Sequence, residues 1–236
     1  MAIGTESRPQ PRAPLSRERV LRAAIKIADQ HGIESLTMRR LAEEVGAEAM
    51  SLYYHVAKKD DVLDGVVELI VEEINEVVDR AGIPTRADAW MPAVRRRILS
   101  AREVLLRHRW APGVFETRTA TSLAVLRYHD GLVALMRTGG FSYDLIHHAL
   151  HALGSRALGF SQELFDPGAG PGAGMSDDAL ATMAEQLPNL VGMLAEIAHD
   201  DPDTTLGWCD DQAEFEFGLD LILAGLDRLR GSQATG

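Results

Sequence analysis

Cysteine and long apolar runs are scarce in this 236-residue sequence. Its one cysteine, Cys209, cannot form an internal disulfide. No apolar stretch reaches the roughly 18–20 residues that span a membrane, and the first twenty residues lack the apolar segment of a signal peptide. These absences predict a cytoplasmic protein with no membrane segment. Hydrophobic residues make up 46% of the chain, which is enough for one large or two modest domains.

Motifs of several enzyme classes are missing as well. Residues 168–174, GAGPGAG, have no lysine and follow no strand pattern, so they do not form a phosphate-binding loop. Neither G-x-S-x-G nor H-E-x-x-H occurs in the sequence. Cys209 lies among acidic residues, which oppose formation of a reactive thiolate. We therefore expect no enzyme activity, no cofactor and no bound metal.

The net charge of −11 is unevenly distributed along the chain. Residues 1–60 hold ten Lys/Arg and eight Asp/Glu, whereas residues 61–236 hold 14 and 27. All the lysines lie in the first part: Lys26, Lys58 and Lys59. Contacts with DNA phosphates need local positive charge and not a basic chain, so this division is compatible with a DNA-binding N-terminal region. A chance division in an ordinary acidic protein would explain it as well.

Helical periodicity runs through most of the chain, and the sequence has no period-two strand pattern. Capping residues, glycines and prolines predict helices over residues 16–31, 38–45, 48–55, 59–80, 88–108, 121–138, 142–164 and 212–230, with weaker helices within 177–198. The sequence Ala111-Pro112-Gly113 is expected to follow a helix end. Residues 1–14 are predicted to be disordered, and residues 166–175 to form a flexible loop. The predicted fold is all-α.

Residues 37–59, TMRRLAEEVGAEAMSLYYHVAKK, form the most informative segment. The apolar residues of a first short helix share one face: Met38, Leu41, Ala42 and Val45. Gly46 ends that helix, because a left-handed residue is favoured there. A second short helix over 48–55 carries polar and aromatic residues. This layout is typical of a helix-turn-helix that reads the DNA major groove, although an ordinary helical hairpin would share it.

The same segment resembles the DNA-binding region of the tetracycline-repressor (TetR) family. The resemblance is densest in residues 36–66, and its most specific part is the pattern L-Y-x-H-V-x-x-K in residues 52–59. Two later segments, 140–160 and 217–229, are similar to helices through which tetracycline repressors dimerise. After the arm 1–14, which its composition predicts to be disordered, the resemblance implies a three-helix DNA-binding domain over 15–60 and a ligand-binding and dimerisation domain over 61–236. A long connecting helix from residue 59 joins the two.

The resemblance also implies a set of DNA-contacting residues: Thr37, Arg39, Ala49, Met50, Ser51, Tyr53, Tyr54, His55 and Lys59. The aromatic, histidine and lysine side chains of this set are expected to contact phosphates, and Lys59 also lies at a helix N-terminus that favours anions. Arg39 and residues 49–51 are expected to meet base edges. Ala49 and Met50 offer only apolar contacts and depart from more polar relatives, so the operator sequence does not follow from the resemblance.

For the C-terminal part, the resemblance implies a mostly apolar pocket whose ligand moves the connecting helix and weakens DNA binding. The expected pocket residues are Asn75, Trp110, Phe115, Arg118, His147, His151 and Glu163. Tetracycline repressors hold a metal–drug chelate with histidines, but Asn75 and Phe115 stand where those histidines are expected. Because Phe115 removes an imidazole ligand for the metal, we expect an aromatic or hydrophobic effector other than tetracycline.

His147 and His151 are four residues apart on one predicted helix, so they could chelate a metal. No Asp, Glu or Cys supports them at a matching spacing, and a role in the pocket or the dimer interface is the favoured interpretation. Broad apolar stripes on residues 142–164 and 212–230 predict that two copies pack as a four-helix interface. A two-fold dimer places its recognition helices ~34–36 Å apart and predicts a palindromic operator.

Two functions from different classes are compatible with the sequence. The first is a homodimeric, ligand-responsive transcriptional regulator that binds a double-stranded DNA operator and a small effector, without a membrane partner. The second is an all-α metal-binding or enzymatic protein that uses the helix with His147 and His151. The resemblance favours the first, and within it repression over activation.

Overall fold

The computed structural model of the chain describes residues 14–80, 82–118, 122–159, 182, 185–189, 191–192 and 211–233. All regular secondary structure in these ranges is helical. The principal helices are α1 Arg17–His31, α2 Met38–Val45, α3 Ala49–Leu52, α4 Lys59–Asp79, α5 Trp90–Arg107, α6 Ala111–Thr117, α7 Leu123–Thr138, α8 Tyr143–Gly159 and α9 Asp211–Gln233. The chain divides into two compact units, Met1–Arg80 with Ser100–Tyr128 and Ala81–Leu99 with His129–Gly236.

The first two helices have the boundaries that their capping residues predict. Ser16 Oγ accepts a hydrogen bond from the Arg19 N–H at 3.2 Å, and Thr37 Oγ1 accepts one from the Arg40 N–H at 3.1 Å. Each bond satisfies an amide that a helix N-terminus leaves without a partner. Gly46 has φ +66°, the left-handed conformation expected at the end of α2. The boundaries of α1 and α2 are therefore determined by residues next to them in the sequence.

The second helix of the predicted helix-turn-helix, α3, is shorter than the sequence predicted. We expected residues 48–55 to be helical, but α3 ends at Leu52 and residues 53–55 form a turn. The N–H groups of His55 and Val56 both bond to the Leu52 carbonyl, at 2.8 and 2.9 Å, so the last turn tightens. Val56 is 3% exposed and enters the core directly after this turn. The predicted helix end was therefore wrong by one turn, and the two tyrosines lie beyond the helix.

One core joins α1, α2 and α3 to the first half of α4. Its buried members are Val20, Leu21, Ala24, Ile27, Leu36, Leu41, Ala42, Val45, Leu52, Val56, Val62 and Val66. A Cβ on Gly65 would lie 2.7 Å from the Leu21 methyl carbons, so α1 and α4 approach closely at this glycine. Burial of each large aliphatic side chain contributes about 1.5–3 kcal/mol, which makes this cluster the main support of the predicted DNA-binding region.

The connecting helix α4 begins at Lys59 as predicted and ends one residue early, at Asp79. Asp61 Oδ2 accepts from the Ala57 N–H at 3.0 Å, which fixes the entry of the chain into the helix. The expectation that Ala111-Pro112-Gly113 lies outside a helix was wrong, because α6 begins there. Pro112 occupies the first turn of α6, where its missing N–H is not needed.

The second unit is built around large buried side chains from α5, α7, α8 and α9. The Trp90 and Phe141 rings meet edge to face with centroids 4.5 Å apart. A Cβ on Gly139 would lie 2.7 Å from Trp90 Cγ, so only glycine fits there without a shift. Ser142 Oγ accepts from the Leu145 N–H at 3.2 Å and caps α8 as predicted. The inward side of α9 is also apolar, with Phe215, Leu219, Leu223 and Leu226 buried.

The remaining helices agree with the sequence to within one to three residues at each described boundary. Instead of the predicted 88–108, 121–138 and 212–230, the helices are Trp90–Arg107, Leu123–Thr138 and Asp211–Gln233. The predicted end of α8 at residue 164, the loop 166–175, the arm 1–13 and most of 177–198 lie outside the described residues. No described helix combines the length and apolarity needed to cross a membrane.

Candidate nucleic-acid interface and effector site

The residues predicted to contact DNA lie at the ends of three successive helices. Thr37 caps α2 and Arg39 is in its first turn, residues 49–51 form most of α3, residues 53–55 form the following turn, and Lys59 begins α4. Each of these side chains is exposed or half-buried, whereas the intervening Leu52 and Val56 belong to the core. The fold therefore presents the predicted set on the surface and separates it from the residues that hold the helices together.

Three of these side chains are large and yet face solvent. Tyr54 is 90% exposed, Met50 72% and Tyr53 47%. Burial of a side chain of this size contributes about 1.5–3 kcal/mol, which these residues forgo in the isolated chain. Apolar and aromatic surface grouped in this way is typical of a contact surface for a partner.

The polar residues of the surface are free to change partners. Arg39 Nε donates to Glu43 Oε1 at 3.0 Å, and the Arg39 side chain is 88% exposed. Such an exposed pair within one helix stabilises a protein little, so the guanidinium can turn to a phosphate or a guanine at small cost. The Thr37 oxygen accepts the capping bond from Arg40, which leaves its hydroxyl proton available for donation.

The start of α4 combines an exposed lysine with several carboxylates. Lys59 is exposed at the first position of the helix, where the helix dipole favours anions. Next to it, Asp60 and Asp64 lie 3.2 and 3.4 Å from Arg118 Nη1. The guanidinium compensates negative charge that would repel DNA phosphates at this end of the helix. No local sequence pattern could reveal this pairing, because the paired residues are 54 and 58 positions apart in the chain.

Asn75 is the most deeply buried of the residues predicted to line the effector pocket. It is 2% exposed, and its Nδ2 donates to the Ala124 carbonyl at 2.9 Å. Its Oδ1 has no hydrogen-bond partner among the described residues. A buried polar atom without a partner costs about 1–3 kcal/mol, and it indicates a functional position or an absent partner.

Phe115 lies in the same unit and is half-buried on α6. It packs beside Val67 and Val71 of α4 and beside the buried Val114 of its own helix. Asn75 and Phe115 thus bring an amide oxygen and an aromatic ring to the α4–α6 region of the first unit. These are the two positions at which the resemblance to tetracycline repressors leads us to expect histidine.

The polar groups of Trp110 and Arg118, also predicted pocket residues, are paired with carboxylates. Trp110 Nε1 donates to Asp29 Oδ1 at 2.7 Å, and His108 Nδ1 lies 2.8 Å from the same oxygen. Arg118 pairs with the two aspartates at the start of α4. The Asp29–His108 contact spans 79 positions, so sequence patterns could not reveal it.

The remaining predicted pocket residues lie elsewhere in the chain. His147 and His151 are exposed on α8 in the second unit, with ring centroids 4.7 Å apart. His148 is also exposed, with its ring centroid 5.5 Å from that of His147. Within the described part of the chain, no three His, Cys, Asp or Glu side chains are grouped so that they could hold a metal ion. Glu163 lies outside the described residues.

Two of the three carboxylates with lowered pKa values, Glu44 and Glu216, belong to ion pairs that include none of the predicted binding residues. Lys26 Nζ, 2.6 Å from Glu44 Oε1, lowers the pKa of that carboxyl and links α1 to α2. In the second unit, hydrogen bonds from Gln212 and then Arg95 lower the pKa of Glu216. Both shifts stabilise the charged form of a surface carboxylate, and we assign them to structure and not to binding.

Comparison with known proteins gives two family matches that together span most of the chain. Residues 83–230 match the model described as "Tetracyclin repressor-like, C-terminal domain". Residues 20–66 match the model described as "Bacterial regulatory proteins, tetR family". The second match contains the whole helix-turn-helix, and the first covers more than half of the chain.

Similar proteins agree with these matches. An HTH-type transcriptional regulator of Saccharopolyspora erythraea is 31% identical over 127 residues, which are 54% of this chain and 51% of that protein. The tetracycline repressor protein class C of Escherichia coli is 28% identical over 92% of each chain. The solved structure of the TetR family protein ActR from Streptomyces coelicolor, in complex with actinorhodin, has a TM-score of 0.69 and 26% identity, and the match covers 93% of this chain and 100% of that chain.

Proposed function

Because this chain belongs to the tetR family of bacterial regulatory proteins and is a DNA-binding transcriptional regulator, we propose that it represses transcription as a homodimer on a palindromic operator. A small aromatic or hydrophobic effector other than tetracycline releases it from DNA. It acts in the cytoplasm and has no catalytic activity of its own. The metal-binding or enzymatic alternative is not favoured, because both matched segments belong to regulators.

The observation that carries this proposal is the separation of exposed from buried residues in α3 and the following turn. Leu52 is fully buried, while Met50 and Tyr54 on either side of it are 72% and 90% exposed. A purely structural hairpin of this size would gain stability by covering such side chains. A recognition helix must leave them uncovered, because they meet base edges and phosphates.

The proposed dimer accounts for an apolar stripe on α9. Phe217 is 63% exposed and Leu221, one helical turn later, is 59% exposed. They lie on the side of α9 opposite Leu219 and Leu223, which are buried. A second copy would cover this stripe. Such a two-fold symmetric dimer would bind a two-fold symmetric, palindromic operator.

The effector proposal rests on Asn75 and Phe115. A buried amide oxygen without a partner suits a ligand that brings a hydrogen-bond donor, and the neighbouring aromatic and aliphatic side chains suit an apolar ligand body. Phe115 cannot coordinate the metal of a tetracycline chelate. The ActR complex with actinorhodin supports a small organic molecule as the effector class here. Of the other predicted contacts, His147, His151 and Glu163 remain proposed effector contacts.

The test is selection of DNA from a random pool by the purified full-length chain, followed by a screen for compounds that release the selected DNA. We expect enrichment of a palindrome bound by two chains, with affinity that falls steeply with salt. Enrichment of no sequence, or of an asymmetric site bound by one chain, would contradict the proposal. Tetracycline with Mg²⁺ serves as the negative control in the release screen.

A pair of variants tests the dimer separately. Phe217→Asp with Leu221→Asp places two charges in the proposed interface, so we expect monomers in analytical ultracentrifugation and loss of operator binding. Leu126→Asp is the matched control, because Leu126 is an exposed leucine (54%) on α7. If both proteins sediment as dimers, the assignment of the α9 stripe to the interface is wrong.

A further inference from the structure

We propose that α6 is fastened at both ends to the DNA-binding helices, by Trp110 at its start and by Arg118 at its end. These two residues then position the DNA-binding region, and their polar groups are not free for an effector. The inference rests on the proposed function, because the position of these helices matters through DNA binding. All the contacts that carry it lie within the first unit.

The first fastening joins α6 to α1. Trp110 precedes α6, and its indole N–H donates to Asp29 Oδ1 at 2.7 Å. Asp29 belongs to α1, which contributes no predicted effector contact. A hydrogen bond to a charged acceptor is roughly twice as strong as one between neutral groups, so this contact can hold the start of α6 in place.

His108 extends the first fastening to α4. Its side chain is 11% exposed, with Nδ1 2.8 Å from Asp29 Oδ1 and Nε2 3.6 Å from Glu73 Oε2. Arg107 also donates to Glu73. The chain between α5 and α6 is thereby tied to α1 and α4 in one polar cluster. Burial of His108 makes this cluster less accessible to water and salt than an ordinary surface ion pair.

The second fastening joins the end of α6 to the start of α4. Arg118 follows the last residue of α6, and its Nη1 lies 3.2 Å from Asp60 and 3.4 Å from Asp64. The Arg118 side chain is only 18% exposed. Asp60 is the residue after Lys59, so this contact acts on the first turn of α4, where DNA phosphates are expected.

Between the two fastenings, α6 packs along α4. Val114 is buried against Val67 and Val71 of α4, with Phe115 beside them. An effector that contacts Phe115 would therefore act on a short helix whose two ends hold different parts of the DNA-binding region. An effector that prefers the state with one fastening released would weaken DNA binding by the same coupling, typically 5–150-fold.

Arg118 has a second effect that the test must separate from positioning. Without its guanidinium, Asp64 would lose this cation and Asp60 would keep Lys58 Nζ at 3.9 Å. More negative charge would therefore remain beside Lys59. A loss of DNA affinity in Arg118→Ala would then have two possible causes. Substituting both aspartates by asparagine in the same chain removes the charge but does not restore the fastening.

The experiment measures the distance between the two DNA-binding regions of the full-length dimer by electron paramagnetic resonance, without DNA. Spin labels are attached at Glu34→Cys, an exposed position outside the DNA-contacting set, in a Cys209→Ser background. We expect one narrow distance distribution for the otherwise unchanged protein and broader ones for Arg118→Ala and for Trp110→Phe. The latter keeps an aromatic ring at this position but removes the indole donor together with part of the ring surface. Arg109→Ala, which removes an exposed neighbouring cation, should stay narrow.

Affinity for the DNA enriched by the unmodified chain provides the second readout. We expect about tenfold weaker binding for Arg118→Ala, which corresponds to a coupling within the usual range, with little recovery when Asp60→Asn and Asp64→Asn are added. Arg118→Lys should recover part of the affinity. Full recovery with the two asparagines, or unchanged distances in both fastening variants, would overturn the positioning role.

Failure of the proposed function gives a different result. In that case the unmodified chain enriches no DNA, or it does not dimerise and shows no distance between two spin labels. Either result is seen before any variant is compared. Circular dichroism identifies a variant that does not fold, and the Trp110→Phe protein then decides, because it keeps an aromatic ring at this half-buried position.

Discussion

The predicted DNA-contacting segment, residues 37–59, and α6 with its flanking residues use side chains of similar chemistry in opposite ways. In the first, Met50 and Tyr54 are exposed and Lys59 faces solvent. In the second, Trp110 and Arg118 donate hydrogen bonds to carboxylates of α1 and α4. Aromatic and cationic residues occur in both regions, so residue type alone does not identify a binding residue. Exposure separates the two cases: even Arg39, which pairs with Glu43, is 88% exposed, whereas Arg118 is 18% exposed.

The largest difference between an exposed and a buried side chain is expected within α3 itself. Leu52→Ala removes a fully buried side chain and should lower the free energy of unfolding by about 2–5 kcal/mol. Met50→Ala removes a side chain that is 72% exposed and should change it by less than about 0.5 kcal/mol. Urea unfolding followed by circular dichroism measures both. Equal effects would show that Met50 is part of the core and not of the DNA surface.

A second change at Met50 tests its role in sequence preference. Met50→Gln replaces an apolar contact with a donor and acceptor that favours adenine. We expect the preference at one base pair of each half-site to change by about 1–3 kcal/mol, measured by repeating the DNA selection. Affinity for non-specific DNA should stay the same. An unchanged preference would place Met50 away from the base edges.

A smaller and more uniform effect is expected at Lys59. Lys59→Ala should weaken binding to every sequence and reduce the slope of log affinity against log salt by about one. Arg80→Ala is the matched control, because Arg80 is an exposed cation at the opposite end of α4. Fluorescence anisotropy at several salt concentrations measures the slope. If the two variants behave alike, the effect of Lys59 is one of net charge and not of phosphate contact.

The sequence predicts those parts of this fold that depend on neighbouring residues. Ser16, Thr37 and Ser142 each accept the capping bond expected of them, and Gly46 takes the left-handed backbone. The helix-turn-helix and its exposed residues follow from the same local signals. Local patterns succeed here because each cap or glycine requires only its own few residues to define the structure.

The parts that the sequence did not predict depend on distant contacts or on a signal with two meanings. Pro112 marks either a helix end or a first helical turn, and its packed neighbour Val114 decides between them. The end of α3 is set by the burial of Val56. The pairing of Asp29 with His108 and Trp110 links residues about eighty positions apart. No periodicity encodes such a contact, and for that reason Trp110 and Arg118 were predicted only as effector contacts.

The smallest effect expected concerns an ion pair inside the DNA-binding region. Lys26 lowers the pKa of the Glu44 carboxyl below its ordinary value of 4.5. A lowered pKa in the folded state means that the pair stabilises the protein above pH 4.5, and that this contribution is lost as pH falls through the lowered value. The pair is exposed, so the gain at neutral pH is small.

Glu44→Gln should therefore lower stability slightly at neutral pH and match the unmodified protein at a pH below the lowered pKa. Urea unfolding between pH 3 and 7 measures the difference, with Glu34→Gln as the control at an exposed carboxylate of the same unit. A difference that grows as the pH falls would reverse the sign of the linkage, and Lys26 would then not be the group that holds Glu44 charged. The expected result would show that contact with Lys26 lowers the pKa of this exposed carboxylate, so exposure alone does not leave a side chain without a structural role.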